Sequence, residues 1–549
     1  MIDYSKYGIT FQPFINKLDK HYADEPSQFC IDMKERPYMV LIGVVGMAFK
    51  SADELIQTRR CAAPDSRERC LYAVYHILAT NEAYGNTRMK DSELARQVNN
   101  LCPEAMVHIV DIVKNDGGIY YEPASHWVSK RGTYNAEVNI AEHIKHRLAN
   151  PVKLDVNVNK YRHNGDFELT NEQIAALQMV ADNSVCMVNG AAGSGKSSVT
   201  TAIVSMLEDN DKTYQLLAPT GIASKILREK TGRNAMTCHL FLTGPHYVDY
   251  VILDEASICD VCLMSLILSK IGVRPNIVFI ADNAQLASIQ CGSMVQDMIK
   301  SNIVPSVTLT KIFRYNTSGI VTIATDVRNG TDKHLKDVYP DYIYIEENKN
   351  DPIAQVVQQY DKLIRDGYNI DDIIVLCPFN IKIGSDAINS AISDKYNNNR
   401  LVRKNSSIKL HDKVINIKNN YDEGLDDMIA NGDIGYLQSM RYNREKKRYD
   451  VMVKFPDGLK NVKSLSNIKQ AYSCSIHKVQ GSSSKVVIVL IDKMHEFMCS
   501  RNLLYVAVTR ATEKLVIIGD AEAIANGLKI SENEARATWL KELLSKKDV

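Results

Sequence analysis

Four short apolar runs, Val185–Val188, Tyr214–Leu217, Val251–Leu253 and Ile277–Ile280, each stop at a polar or glycine-rich loop, and helical stretches separate them. Strands apolar on both faces must be covered on both, so the pattern predicts parallel strands between layers of helix. In such sheets ligands bind at the carboxyl ends of the strands. A second series follows at Ile373–Leu376, Val486–Ile491 and Leu515–Ile518. Two α/β lobes in one chain are therefore expected.

From about Arg400 to Ser466 the second series is interrupted by alternating segments, Ile434–Tyr436 and Tyr449–Phe455, with turn signals at Asn431-Gly432 and Asp457-Gly458. That is the pattern of a small inserted β-barrel. Residues 1–150 read mostly as helices, with apolar spacings of three and four at Asp53–Arg60, Arg67–Leu78, Asp91–Asn100 and Ala136–Leu148, and a hairpin opening at Gly117-Gly118. A helical bundle ending in a β-wing fits them. The expected division is a helical N-terminal domain at 1–150, a first lobe at 151–304, a second lobe at 305–399 and 467–549, and an insertion at 400–466. A length of 549 residues suits this at roughly 100–200 residues per domain.

Lys and Arg number 66 against 65 Asp and Glu, a net charge of +1, so no overall basic field exists and a nucleic-acid site must be a local groove. The longest uncharged apolar run, Pro37–Phe49, is shorter than the roughly 17–25 residues of a spanning helix, and the first residues, MIDYSKYG, lack a signal-peptide pattern. A cytoplasmic protein without a membrane partner is expected. Twelve scattered cysteines are too few for a disulfide scaffold. Cys259 and Cys262 have no second pair nearby and read as buried thiols rather than zinc ligands.

Gly190-Ala191-Ala192-Gly193-Ser194-Gly195-Lys196-Ser197 matches the phosphate-loop pattern, with an apolar strand before it and an amphipathic helix, Ser197–Leu207, after it. Backbone N–H groups from Gly190 to Ser198 would cradle the phosphates at the positive end of that helix. Lys196 would reach the β- and γ-phosphates, and the Ser197 hydroxyl would bind Mg²⁺. Asp254, at the tip of the strand Val251–Leu253, can hold the same ion through water, and Glu255 can polarise the attacking water. A phosphate loop alone also fits small-molecule kinases and GTPases.

Further motifs separate these classes. Leu169-Thr-Asn-Glu-Gln173, Ala218-Pro219-Thr220-Gly221, Thr237-Cys-His239, Asp254-Glu255-Ala256-Ser257, Asp282-Asn-Ala-Gln285-Leu286, Leu309-Thr310-Lys-Ile-Phe313-Arg314, Ser475-Ile-His477-Lys-Val-Gln-Gly481-Ser482 and Leu504-Tyr505-Val-Ala-Val-Thr-Arg510-Ala511 follow in order. This series resembles superfamily 1B DNA helicases of the RecD-like branch, from Leu169 to Asp520. Asn431-Gly432-Asp433-Ile434-Gly435 resembles that branch's SH3-type insertion, and Arg36 to Asp53 its helix-hairpin-helix region.

The resemblance implies two RecA-like P-loop lobes, an SH3-like barrel in the second, and a helical N-terminal domain of helix-hairpin-helix-like and winged-helix-like parts. It implies ATP between the lobes, with Gln173 reading adenine and Gln285 at the γ-phosphate or its attacking water. Arg314 and Arg510 would be arginine fingers from the second lobe, so hydrolysis would require closure. Single-stranded DNA would cross both lobes, touching Thr220, His239, Ser475 and His477. Movement would run 5′→3′ on single strands or on forked or tailed duplexes, in replication, recombination or repair, in a bacterial or phage-infected cell. Partners would be a single-strand-binding protein or other replication and recombination proteins. A protein-displacing translocase with weak unwinding is a second reading. A non-catalytic DNA-binding scaffold is opposed by the full set of ATP-site residues, and a small-molecule kinase leaves the second lobe without a role.

Three departures stand out. Ala281, Ala287 and Ser288 replace a glycine and two prolines usual around Gln285, which frees that loop's backbone and should loosen its coupling. Tyr315 stands at a usual glutamine, and Ala48 at a usual glycine of the helix-hairpin-helix turn. Only about ten residues separate His239 from Val251, where relatives place a strand-splitting pin. A tight turn near 240–250 is expected, with residues 1–150 or the inserted barrel in the pin's place.

Overall fold

The computed structural model describes residues 2–164, 167–245, 247–313, 318–403, 406–420, 429–444 and 448–546. The N-terminal helices Gln12–His21, Gln28–Glu35, Phe49–Arg59, Arg67–Ala83, Asp91–Leu101 and Ile109–Asn115 enclose their own core, with Phe29, Leu41, Ile56, Val74 and Leu94 buried. Strands β1 (Met89–Lys90), β2 (Ile119–Glu122) and β3 (Trp127–Lys130) form an antiparallel sheet in the order β1-β3-β2. A two-stranded hairpin, β4 (His163–Asn164) and β5 (Phe167–Glu168), leads into the first lobe.

That lobe is a parallel sheet of β6 (Val185–Gly190), β7 (Tyr214–Ala218), β8 (Ala235–Thr237), β9 (Tyr250–Leu253), β10 (Asn276–Ala281) and β11 (Ser306–Leu309), in the order β11-β6-β10-β9-β7-β8. Every residue of β6, β9 and β10 is buried, as two-sided helix cover requires. Because β6, β10 and β9 are neighbours, with Ala281 opposite Asn189 and Phe279 opposite Leu253, their carboxyl ends bring Gly190, Asp282 and Asp254 to one edge.

The second lobe is a parallel sheet of β12 (Tyr342–Glu346), β13 (Ile373–Cys377), β19 (Ser473–Ser475), β20 (Ser484–Ile491) and β21 (Ala511–Gly519), in the order β12-β21-β20-β13-β19. Between β13 and β19 the chain makes five antiparallel strands: β14 (Lys413–Asn416), β15 (Ile434–Asn443), β16 (Arg448–Phe455), β17 (Gly458–Asn461) and β18 (Ile468–Gln470). Their small core includes Val414, Leu437, Val451 and Val453. β18 carries this sheet past the expected limit at Ser466.

Two helices depart from the expected division. Arg131–Ala149, assigned by sequence to the N-terminal domain, buries Ile140, Ala141 and Ile144 in the first lobe's core. Its fully buried Arg147 donates to the carbonyls of Pro275 (2.8 Å) and Gly272 (2.7 Å), which satisfies a charge that would otherwise be costly there. Leu540–Ser545, assigned to the second lobe, buries Leu540 and Leu544 in that same first-lobe core. Periodicity identifies an apolar helical face and not the surface it will cover.

The thiol pair also differs from expectation, since Cys259 is buried but Cys262 is exposed. Between the short helix Cys238–Phe241 and β9 no described residue forms a strand. No described helix is long and apolar enough to cross a membrane.

Candidate nucleotide site between the lobes

β6 ends at Gly190, and the loop turns through Gly193 (φ +80°) and Gly195 (φ +84°) into the helix Lys196–Glu208. Both glycines sit in the left-handed region, which side chains with a Cβ rarely adopt. At Gly195 a Cβ would also collide with the Gln173 amide, so this loop and Gln173 are packed together. Gln173 is held in a capping box: its N–H donates to Thr170 Oγ1 at 3.3 Å and its Oε1 accepts from the Thr170 N–H at 2.9 Å.

Lys196 Nζ donates to the Gly190 carbonyl at 2.7 Å and the Ala191 carbonyl at 3.1 Å, and stands 3.9 Å from Asp282 Oδ2. Ser197 Oγ accepts from Lys230 Nζ at 3.3 Å. Glu255 has a left-handed backbone (φ +51°), and its N–H donates to Asp254 Oδ1 at 2.9 Å. Burial first, and the adjacent Glu255 charge second, push the Asp254 carboxyl up to about 6. Glu255 Oε2 and Ser194 Oγ are buried without a hydrogen-bond partner.

Gln285 is buried, and its Nε2 faces Asp282 Oδ2 at 3.4 Å. Across the cleft, the helix Arg501–Val508 presents Arg510 just past its end. Arg510 donates to Val506 O (3.0 Å), Ser482 O (2.9 Å) and Thr509 Oγ1 (3.1 Å). A cleft of about 540 Å³ is lined by Gly193, Lys196, Asp254, Glu255 and Gln285 on one wall and by Gly481, Ser482 and Arg510 on the other. The structure therefore gathers Lys196, Asp254, Glu255, Gln285 and Arg510 in one place. Arg314 lies outside the described residues, as does Tyr315. Its neighbour Phe313 lines the cleft and donates its N–H to Gly193 O at 2.8 Å.

Three contacts at this site carry no signal of their own in the sequence. Asp282, fully buried, receives the Tyr505 hydroxyl at 3.2 Å, and that same hydroxyl accepts the Ala192 N–H at 3.1 Å. A second-lobe side chain thus reaches a backbone donor of the phosphate loop. Leu286, beside Gln285, is buried in the second lobe's core. Asp282 and Tyr505 sit inside the motifs already quoted, but only three-dimensional register pairs them.

The expected DNA contacts are placed unevenly. Thr220 and His239 follow the neighbouring strands β7 and β8, where Ala218 pairs with Thr237. His239 is exposed, whereas the Thr220 hydroxyl caps the helix Gly221–Thr231 by accepting the Ala223 N–H at 3.2 Å. Ser475 is buried at the end of β19. His477 is half-buried, and that burial pushes its imidazole below the usual value, toward the neutral form.

Two family models and several known proteins resemble this chain. A model described as AAA domain matches residues 168–350, and one described as UvrD-like helicase C-terminal domain matches residues 470–518. The ATP-dependent RecD2 DNA helicase of Deinococcus radiodurans is 25% identical over 92% of this chain and 72% of its own length. The RecBCD enzyme subunit RecD of Mycolicibacterium smegmatis is 24% identical over 68% of this chain and 74% of its own. The ATP-dependent DNA helicase dda of Enterobacteria phage T4 is 32% identical, but over 26% of this chain and 37% of its own. A solved Pif1 helicase from Bacteroides overlaps 66% of this chain and 94% of its own at 18% identity, with a TM-score of 0.44.

Proposed function

We propose, from the premise that this chain belongs to the RecD-like superfamily 1B DNA helicases, that it moves 5′→3′ along single-stranded DNA by closing its two lobes on ATP. It is an ATP-dependent DNA helicase. The observation that carries the mechanism is the two-walled cleft, with the phosphate loop and carboxylates on one side and Arg510 on the other.

Backbone N–H groups from Gly190 to Ser198 would bind the phosphates, and Lys196 would exchange its carbonyl partners for phosphate oxygens. Glu255, with one oxygen unpartnered, is suited to orient the attacking water, and Gln285 to sense the γ-phosphate. Charge developing on the transferring phosphoryl group calls for cations, and an arginine finger supplies about 10³–10⁵ in rate. Arg510, and Arg314 by resemblance, would fill that role only when the lobes close, which couples chemistry to movement. Gln173 would read the adenine. Ser197 and Asp254 would hold Mg²⁺, which when bound neutralises phosphate charge. The fit is electrostatic, since Asp254 and Glu255 crowd two carboxylates into a buried corner.

DNA would lie over the carboxyl ends of β7, β8 and β19, meeting Thr220, His239, Ser475 and His477. The inserted antiparallel sheet takes the place of the SH3-like barrel, and the N-terminal region that of the helix-hairpin-helix and winged-helix parts. Partners would be forked or tailed duplexes and a single-strand-binding protein. The short segment between Phe241 and Tyr250 favours a second reading, protein displacement with weak unwinding.

Duplexes with a 5′ or a 3′ single-stranded tail, incubated with and without ATP, test the direction. Separation of the 5′-tailed substrate alone, and only with ATP, is expected. Separation of the 3′-tailed one would reverse the polarity. ATP-driven removal of streptavidin from biotinylated single strands without strand separation would select the second reading.

A further inference from the structure

Residues 530–546 leave the second lobe, cross the loop after Gln285 and end against the N-terminal region and first lobe. At the crossing, Glu532 donates its N–H to Asn502 Oδ1 at 3.1 Å, and Asn502 and Asn533 both donate through Nδ2 to the Gln285 carbonyl, at 3.2 and 2.8 Å. Arg536 comes next. Its Nη2 donates to Ser288 O at 2.8 Å, and its Nη1 to Gly292 O at 2.7 Å and Gln290 O at 3.2 Å, with Ser288 Oγ at 3.4 Å. From the other side, Gly85 of the N-terminal region (φ +87°) lies so close that a Cβ there would run into this guanidinium. The Gly85 carbonyl accepts the Gly292 N–H at 2.9 Å.

Beyond Arg536 the segment is anchored. Ala537 O accepts the N–H groups of Thr87 (2.9 Å) and Arg88 (3.3 Å), and Arg88 pairs with Glu542 through two bonds of 2.8 and 2.7 Å. Trp539 is buried edge-on to Tyr120 and Tyr134.

A guanidinium is planar and presents its N–H groups in a fixed fork, so three carbonyls bound to one of them cannot drift independently. The loop held in this way follows directly on Asp282 and Gln285, yet Arg536 does not itself line the nucleotide cleft. We propose that Arg536 is a positioning residue for ATP hydrolysis: by fixing the 288–292 loop it sets Gln285 and Asp282 against the phosphate loop, and turnover depends on the C-terminal segment being docked on the N-terminal region. The proposal rests on the nucleotide site assigned above.

Arg536→Ala and Arg536→Lys in the 549-residue chain, beside Lys196→Ala, test it. The readouts are kcat and KM for ATP with saturating oligo(dT), affinity for a fluorescent ATP analogue, and amide exchange at 286–292. Arg536→Ala should lower kcat about tenfold or more, with KM and analogue affinity within about twofold and faster exchange in the loop. Arg536→Lys should recover little, because a single nitrogen cannot replace Nη1 and Nη2 held at the fixed spacing of a guanidinium. Wild-type kcat in Arg536→Ala, or a changed KM with kcat intact, would overturn the proposal. Should Arg536→Ala not fold, Arg536→Lys decides: lowered kcat with normal analogue binding supports it, and wild-type kcat overturns it. Hydrolysis at the wild-type rate in Lys196→Ala would instead overturn the nucleotide site, and this proposal with it.

Discussion

Lys196 bonds to two carbonyls of its own loop and lies near Asp282, so its ammonium is already held where phosphate oxygens would compete for it. Lys196→Ala should therefore lower ATP hydrolysis by about a hundredfold or more while single-strand binding, measured by fluorescence anisotropy, stays near wild type. Hydrolysis at the wild-type rate would show that the phosphates sit elsewhere. Lys196, Asp254, Glu255, Gln285 and Arg510 could be singled out from the sequence because short local patterns mark each of them, and all five line one cleft. Tyr505 on Ala192 was not, since its contact joins residues 313 positions apart. Nor was the burial of Ser475, which no local pattern reveals.

Among the elements, the loop after Gln285 shows how a local reading can mislead. Replacing two prolines by Ala287 and Ser288 loosens a backbone considered alone, yet here Arg536, Asn502 and Asn533 tie that loop from outside. The inserted sheet shows a similar long-range dependence. Its Gly432 turn (φ +102°) lies so close to Ile222 that a Cβ would overlap that side chain, and a Cβ at Gly221 would stand 2.8 Å from Ala430. Lys225 of the same first-lobe helix reaches Asp457 at 2.9 Å and Asp433 at 3.8 Å. The insertion thus rests on the first lobe although it branches from the second. Lys225→Glu sets three carboxylates against one another and should speed amide exchange at 430–436 without altering exchange in β6 or β10. Unchanged exchange at 430–436 would remove the ion pairs from any part in docking.

Across the whole molecule, the N-terminal region, first lobe and C-terminal segment share one buried junction. Glu137 is fully buried there and accepts the N–H groups of Trp539 and Leu540 at 3.3 and 3.2 Å. Burial outweighs those bonds and pushes its carboxyl from 4.5 up to about 8. A carboxyl that holds its proton more tightly folded than unfolded adds stability that is complete below about 4.5 and lost as the pH rises through about 8. The melting temperature should accordingly fall by a few degrees between about pH 5 and pH 8, and Glu137→Gln should flatten that slope. An equal slope in both proteins would place the titrating group elsewhere. The same junction bears on deletions. Removing residues 1–150 would strip Ile140, Ala141 and Ile144 from the first lobe's core, so an N-terminal deletion that spares this lobe has to stop before Arg131.

The sequence by itself determined the two parallel sheets, the phosphate loop, the acidic strand tip and the order of the motifs. Each of these is written in a few consecutive residues whose spacing fixes strand, turn and cap. Tertiary structure alone decided which surfaces meet: that the helices at 131–149 and 540–545 pack on the first lobe, that the insertion leans on the first-lobe helix Gly221–Thr231, and that Arg536 holds the loop after Gln285. The reason is physical. An apolar face or a guanidinium fork specifies the kind of partner it needs, and the path of the whole chain decides which partner comes within reach.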